Sequence, residues 1–353
     1  MKRILTTSAA LALLSSGALA AGLDRSGQGI DIMYESGNAI ELSFGSVSPT
    51  VTGTLGGQDS GNVSASYSQV GFGLKTQVND KLSLGLVFDQ PYGANLSYPA
   101  TTTYPLRGTT GTVDTSAITA IARYDLGNNM AVFAGARQQT LSGSVAIPAK
   151  GYSASFASSS GTGYLVGAMY EKPEIALRVA LTYNSSIKHD IATTENNVLN
   201  TTTTVNTPKS VNLDFQTGVA ADTLVFGSIR WVDWKNFSLK PAGFAAGNAG
   251  AALLSYAQNA ITYEAGVGRR INDKWSGAVT FGYEKAEGGK VSDLGPTDGF
   301  FSFGLGATYA ATDTSKITLG AKYVKLGDAT TANNASFTGN SAIGFGIKFS
   351  SSF

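Results

Sequence analysis

The sequence predicts an all-β fold, a 14-stranded antiparallel transmembrane β-barrel. Three observations predict it. Segment after segment alternates apolar and polar residues with period two, an export signal precedes them, and no apolar run reaches the roughly 18 residues of a membrane helix. The final stretch, 341–353, carries the pattern clearly. Ile343, Phe345, Ile347, Phe349 and Phe353 share one parity, while Gly344, Gly346, Lys348, Ser350 and Ser352 share the other. One face of that strand is apolar and aromatic, and the other is small or polar.

The export signal opens the chain. Lys2 and Arg3 supply a positive start, residues 4–14 are mostly apolar, and Ala18-Leu19-Ala20 is a small-x-small cleavage site. Residues 1–20 therefore read as a signal peptide and are set apart from the fold. Residues 21–38 show no sustained period, and fit either a disordered leader or a plug folded into a lumen. Alternation begins at Ile40, Leu42 and Phe44, and returns at Val70, Phe72 and Leu74. After Asn79-Asp80, Leu82, Leu84, Leu86 and Phe88 face away from Ser83, Gly85 and Asp89. That third strand meets Pro91-Tyr92-Gly93, where proline removes a ladder donor, so a break is expected.

A Thr- and Gly-rich stretch, 94–111, reads as a long loop. Strands near 112–126 and 130–147 flank a tight turn at Gly127-Asn128-Asn129. A Ser-rich loop is expected next, then a strand over 164–171 and a turn at Lys172-Pro173-Glu174. Ile175 to Tyr183 alternate strictly, and the Thr/Asn stretch 191–206 reads as a second long loop. Two more strands flank Ala221-Asp222, and 241–259 is an Ala/Gly-rich loop with room for a short helix. Strands over 261–271, 274–286, 300–310 and 316–326 precede the last one. The inventory is even, with short and long links in alternation, as a barrel with short turns at one end requires. The alternative is a large secreted β-sandwich or propeller, and against it stand the absence of a blade-length repeat and the single-sided pattern throughout.

Composition narrows the chemistry. A formal net charge of +1 gives no basic field for nucleic acid, and Cys 0 removes disulfides, thiolates and cysteine-metal sites. No cofactor, metal site or catalytic residue is expected. The single histidine, His189, nearly excludes a Ser-His-Asp hydrolase and reads as an exposed loop residue. With the apolar parity facing lipid, the lumen receives Glu41, Lys75, Asp89, Arg123, Arg137, Arg178, Asp214, Arg230, Glu264, Arg270, Glu284, Lys322 and Lys348. Inward Val87, Ile121, Leu165 and Met169 add apolar patches. Cations between such patches could hold an amphipathic molecule, or could be cross-strand ion pairs filling the lumen.

Residues 161–190, the hairpins 261–284 and 303–325, and the terminal strand with its C-terminal aromatic bring a family into view. Over most of the mature chain the sequence resembles the FadL-type outer-membrane transporters of long-chain fatty acids and other hydrophobic molecules. The resemblance implies a barrel over 39–353, an N-terminal hatch over 21–38 that includes Ser26, Gly27, Gln28 and Gly29, and a third strand kinked at Pro91, Tyr92 and Gly93 that opens the wall sideways. It implies passive uptake across the outer membrane of a Gram-negative bacterium, in contact with membrane lipid and lipopolysaccharide. The Asn-Pro-Ala motif frequent in the family's plug is missing. Ligand-binding candidates are Arg137, Arg178, Arg230 and Lys322 for a carboxylate, with Leu253 and Tyr256 in a capture loop. Rival readings are a general diffusion porin for polar solutes, an adhesin or scaffold barrel, and a lipid hydrolase. A closed barrel needs no partner, so a monomer is expected.

Overall fold

A computed structural model describes residues 22–353 of the chain. The predicted signal peptide lies outside the described residues. Seventeen sheet segments form one closed antiparallel barrel. They amount to fourteen strands, because three strands are each split in two. The strands are β1 (Ala39–Thr50), β2 (Tyr67–Gln77), β3 (Leu82–Asp89 and Gly93–Ser97), β4 (Thr110–Gly127), β5 (Met130–Ile147), β6 (Tyr152–Lys172) and β7 (Leu177–Asn184 and Ile187–Glu195). The ring continues with β8 (Leu199–Thr207 and Ser210–Ala220), β9 (Thr223–Val232), β10 (Ala260–Arg270), β11 (Trp275–Glu284), β12 (Phe300–Ala310), β13 (Ser315–Leu326) and β14 (Ser341–Ser352). Closure comes from β1 against β14, from Ala39↔Ser352 to Thr50↔Ser341.

The alternation sorts the two faces as the sequence predicts. Leu42, Phe44, Val70, Leu84, Val166, Leu181, Phe281, Leu305, Leu319, Phe345 and Ile347 stand exposed on the outer face. Only a hydrocarbon surround makes that favourable, and closure leaves no unpaired sheet edge in it. Tight turns join strands at one end. Asn128 and Asn129, with φ of 52° and 66°, are two consecutive left-handed residues of the kind a two-residue hairpin demands.

Two expected loops are strands instead. The Ser-rich stretch belongs to β6, which runs for 21 residues. The Thr/Asn stretch forms the upper hairpin of β7 and β8, turning at Asn196-Asn197 with φ of 49° and 60°. These segments stand beyond the apolar band, so their outer face is Ser, Thr and Asn rather than Leu and Phe. Their inner face still packs, through Tyr152, Ala154, Phe156, Ile191 and Val205. Hydropathy alternation is therefore weak there, although β-branched threonine suits a pleated surface. The first Thr/Gly stretch is loop only after Ser97. The 241–259 segment contains a short helix, α1 (Ala242–Gly247).

The lumen is filled. Ile30, Ile32, Met33 and Tyr34 pack on inward Val87, Ile121, Phe133, Leu165 and Met169. The inward apolar patches seen in the sequence are thus the seat of the chain's own N-terminal segment. Above them, a larger apolar cluster joins Tyr92, Leu141, Tyr152, Phe156 and Ile191 to Trp234, Phe237, Phe244 and Leu253 of the loop covering the mouth.

Candidate translocation site

β3 breaks where the sequence places the proline. Its lower half pairs with β2 only from Phe72↔Phe88 to Gln77↔Ser83. Above that, β3 leaves β2, and the backbone N–H of Val70 is met by the side-chain oxygen of Gln90 at 2.9 Å. Contact resumes at Ala65 N–H to Asn95 O, 3.0 Å, and Ser97 N–H to Val63 O, 2.8 Å. A cavity of about 140 Å³ occupies this gap. Its lining includes inward Glu41, Asp89 and Lys348, but also Val70, Phe72 and Phe88 of the outer face. Its lining thus includes residues from both faces of the wall.

The N-terminal segment covers the gap from inside. Gly93 N–H donates to Leu23 O and Arg25 N–H donates to Pro91 O, both at 2.8 Å. Proline cannot continue the ladder to β2, and its carbonyl pairs inward instead. The Arg25 guanidinium lies 4.0 Å over the Tyr67 ring and fills the space that a side chain at position 93 would need. Ser26 Oγ donates to Asp89 at 2.5 Å, Gly27 O accepts from Asn212 at 2.9 Å, and Gln28 Oε1 accepts from Ser210 at 2.8 Å. Gly29 lines the cavity. Tyr92 points into the lumen. Its hydroxyl donates to Pro208 O at 3.2 Å, and its ring meets Trp234 edge-on at 5.6 Å.

The four candidate cations fare differently. Arg230 forks onto Asp24 at 2.6 and 3.1 Å, an arrangement that sequence reasoning missed because Asp24 lies in an aperiodic segment. Lys322 is paired with Glu264 on the far wall. Arg178 lies 4.4 Å over the Tyr34 ring. Arg137 is buried at 3% exposure, held by Thr119 at 2.8 Å and Asn184 at 3.2 Å, and its Nη2 has no partner. No carboxylate lies within ion-pair distance of it among the described residues. Asn184 also donates to Ser210, which Arg230 contacts in turn, so the structure links Arg137 and Arg230 in one polar network and leaves Lys322 outside it.

Leu253 and Tyr256 sit above this network. The Tyr256 ring lies 5.1 Å from Trp234 and 5.8 Å from Phe237. Trp234, at the top of β9, connects this loop to Tyr92 at the break, a bridge the sequence hides because the residue follows the last alternating position. His189 is a correction. It is wholly buried, its Nδ1 lies 3.1 Å from Ser159 O and its Nε2 lies 3.1 Å from Gln139 Oε1. The phase of β7 shifts just before it and turns it inward.

A plugged, lipid-embedded barrel with a wall gap defines an outer-membrane channel rather than an enzyme. The chain belongs to the outer membrane protein transport family (OMPP1/FadL/TodX), whose profile matches residues 4–353. Members are outer-membrane transport proteins, and this chain is one. Among solved structures it is similar to a FadL homologue of Pseudomonas aeruginosa, with TM-score 0.74 and 14% identity over 96% of each chain. It is also similar to the toluene transporter TodX of P. putida, with TM-score 0.65 and 12% identity over 91% of this chain and 92% of that one. The monoaromatic hydrocarbon channel CymD matches with TM-score 0.61 and 14% identity over 96% of both. No curated protein matches the chain.

Proposed function

We propose that this channel takes up long-chain fatty acids or similar hydrophobic carboxylates and releases them sideways through the β2–β3 gap. The observation that carries the reading is the cavity lined by both faces of the wall at the proline break. A lateral route keeps an alkyl tail out of water, where each methylene would cost about 0.8 kcal/mol. The head-group assignment rests on Arg137, the buried guanidinium left without a carboxylate. Leu253 and Tyr256 receive the tail first, and residues 22–38 act as the hatch. A sheet that closes on itself, β1 against β14, needs no partner strand, which supports a monomer.

Uptake of labelled oleate by cells lacking their own transporter tests this, with and without Pro91→Val/Gly93→Val. The variant supplies the missing ladder donor and drives a side chain against Arg25. Uptake should collapse while the barrel stays folded and heat-modifiable on a gel. Ion conductance without oleate uptake by the unaltered protein would favour a polar-solute porin. Arg137→Met should weaken oleate binding by about 1.5–3 kcal/mol, the worth of a hydrogen bond to a charged group, and leave toluene binding unchanged. Equal losses for both ligands would remove the carboxylate from the reading.

A further inference from the structure

The wall has a second irregularity, and the proline at position 91 has no part in it. Along β6, inward positions are Leu165, Gly163, Gly161 and Ser159, then Phe156 and Ala154. The phase slips at Ala157-Ser158, matching the register shift against β5. Along β7, inward positions are Ala180, Thr182 and Asn184, then Ile187, His189 and Ile191, so the phase slips at Ser185-Ser186. The flanking pairs Asn184↔Leu165 and Thr193↔Phe156 join inward residues to inward residues. Carried between them, the same register would set inward Ser159 against outward Asp190, and inward His189 against outward Ser160. Two bulges out of step interrupt the regular ladder over that interval, although Ser185 N–H still donates to Tyr164 O at 2.9 Å.

Side chains add to that backbone bond in holding the interval shut. Ser159 Oγ donates to Asp190 O at 3.0 Å, and the His189 ring bridges Ser159 O and Gln139. Ile187 lies across Gly163, where a Cβ would come within 2.5 Å of it. The β7–β8 hairpin above the slip bends as one piece, because β8 breaks opposite at Pro208-Lys209 while the two strands keep a common register. The seam begins just above Tyr164 and Tyr183, whose rings lie 6.1 Å apart. Tyrosines of this kind mark the membrane–water interface of a barrel. Its outer rim is Ser160, Thr162, Ser186, Lys188 and Asp190, a height suited to lipid headgroups. Behind it lie Leu141, Phe156, Ile191 and Val205 of the upper apolar cluster.

We propose that the β6–β7 seam is a second lateral port, through which single-chain amphiphiles already dissolved in the outer leaflet reach the upper apolar cluster. The inference rests on the chain being a channel for hydrophobic molecules and adds a loading route from the membrane. A polar head passes along the hydroxyl rim to Gln139 and Thr207 while the tail follows the apolar residues behind. Opening parts the strands only between Ser185 and Ala192, where side-chain bonds predominate, and leaves the ladder pairs of Thr193–Glu195 with Ala154–Phe156 in place above, whereas parting any regular pair of strands would strip a run of ladder bonds.

Trp231→Phe/Trp275→Phe leaves Trp234, in the upper apolar cluster, as the sole tryptophan. In vesicles carrying dibrominated stearate, quenching of Trp234 reports access from the membrane. The chain has no cysteine, so Ser160→Cys/Lys188→Cys can be bridged across the seam by a short reducible linker. Thr140→Cys/Ser160→Cys, directly opposed in the regular β5–β6 ladder, is the control. Quenching should persist in the control, be lost in the bridged seam and return on reduction. Equal quenching in both bridged proteins, or none in the unbridged one, overturns the port. Oleate uptake measured in parallel separates the outcomes: quenching without uptake sinks the transport reading and leaves the port standing.

Discussion

The two halves of the barrel obey different rules. From β10 to β14 every strand is continuous, 10–12 residues long, and paired in an unshifted register. From β3 to β8 the wall is tall and interrupted, with breaks at Gln90–Tyr92, Ser185-Ser186 and Pro208-Lys209. The regular half needs only a hydrocarbon surround and tight turns. The interrupted half hands backbone groups to partners inside the lumen, so its shape depends on residues 22–38 and on the mouth loops. Tyr92 and Pro208 tie two of its breaks together across the interior. Irregularity in this barrel collects where the N-terminal segment and the mouth loops pack against the wall.

The largest expected effect separates the halves at their ion pairs. Asp24→Asn strands a buried guanidinium at Arg230, and breaking such a pair costs about 3–5 kcal/mol. The hatch should come loose, read as faster tryptic cleavage after Arg25 and a rise in bilayer conductance. If neither changes, Arg230 does not hold the plug. A smaller effect belongs to Glu195 at the top of β7. Its carboxylate accepts from Gly243 and Phe244 N–H at 2.7 Å each and from Tyr152 at 2.8 Å. Burial opposes its charge, but the Gly243 N–H, the Tyr152 hydroxyl and the Phe244 N–H outweigh it and hold the carboxyl below the usual glutamate range. A depressed native value means that this stabilisation is complete above the ordinary range, near pH 4.3, and fades as pH falls below it. Acidification should free α1, seen as faster amide exchange over 242–247. Glu195→Gln should do the same at neutral pH, at roughly 1–3 kcal/mol.

Smaller still is Asn128→Ala in the β4–β5 turn, about 1 kcal/mol for a left-handed residue without asparagine's tolerance, measured by urea unfolding. No change would mean that the turn relaxes to another type. The smallest belongs to the regular half. Glu264→Gln/Lys322→Met removes both members of this pair at once, so neither is left charged without the other. Conductance and uptake should not move. A transport defect there would extend the functional region to the far wall and blur the contrast.

For the candidate site, Pro91 was legible because proline in an alternating run has one backbone consequence whatever surrounds it. Arg137 and Arg230 were legible as inward cations, since parity alone sets the side of the wall. Parity could not tell that Arg230 is neutralised from the hatch while Arg137 is not, because Asp24 carries no period. The Ser-rich part of β6 and the Thr/Asn hairpin were read as loops because their outer face meets water, which erases the hydropathy contrast. The Asn196-Asn197 dipeptide was the available sign of the hairpin.

By itself the sequence determined the barrel, its strand number, its lipid face and the break in β3. These follow from period-two alternation, turn residues and a missing N–H, all local to the chain. Only the tertiary structure decided that Val87, Ile121, Leu165 and Met169 seat the N-terminal segment and that His189 is buried. It alone set the bulges of β6 and β7 out of step. Each of these depends on which residues, far apart in sequence, come to face one another around a closed ring, and a one-residue slip in one strand changes the answer for its neighbour.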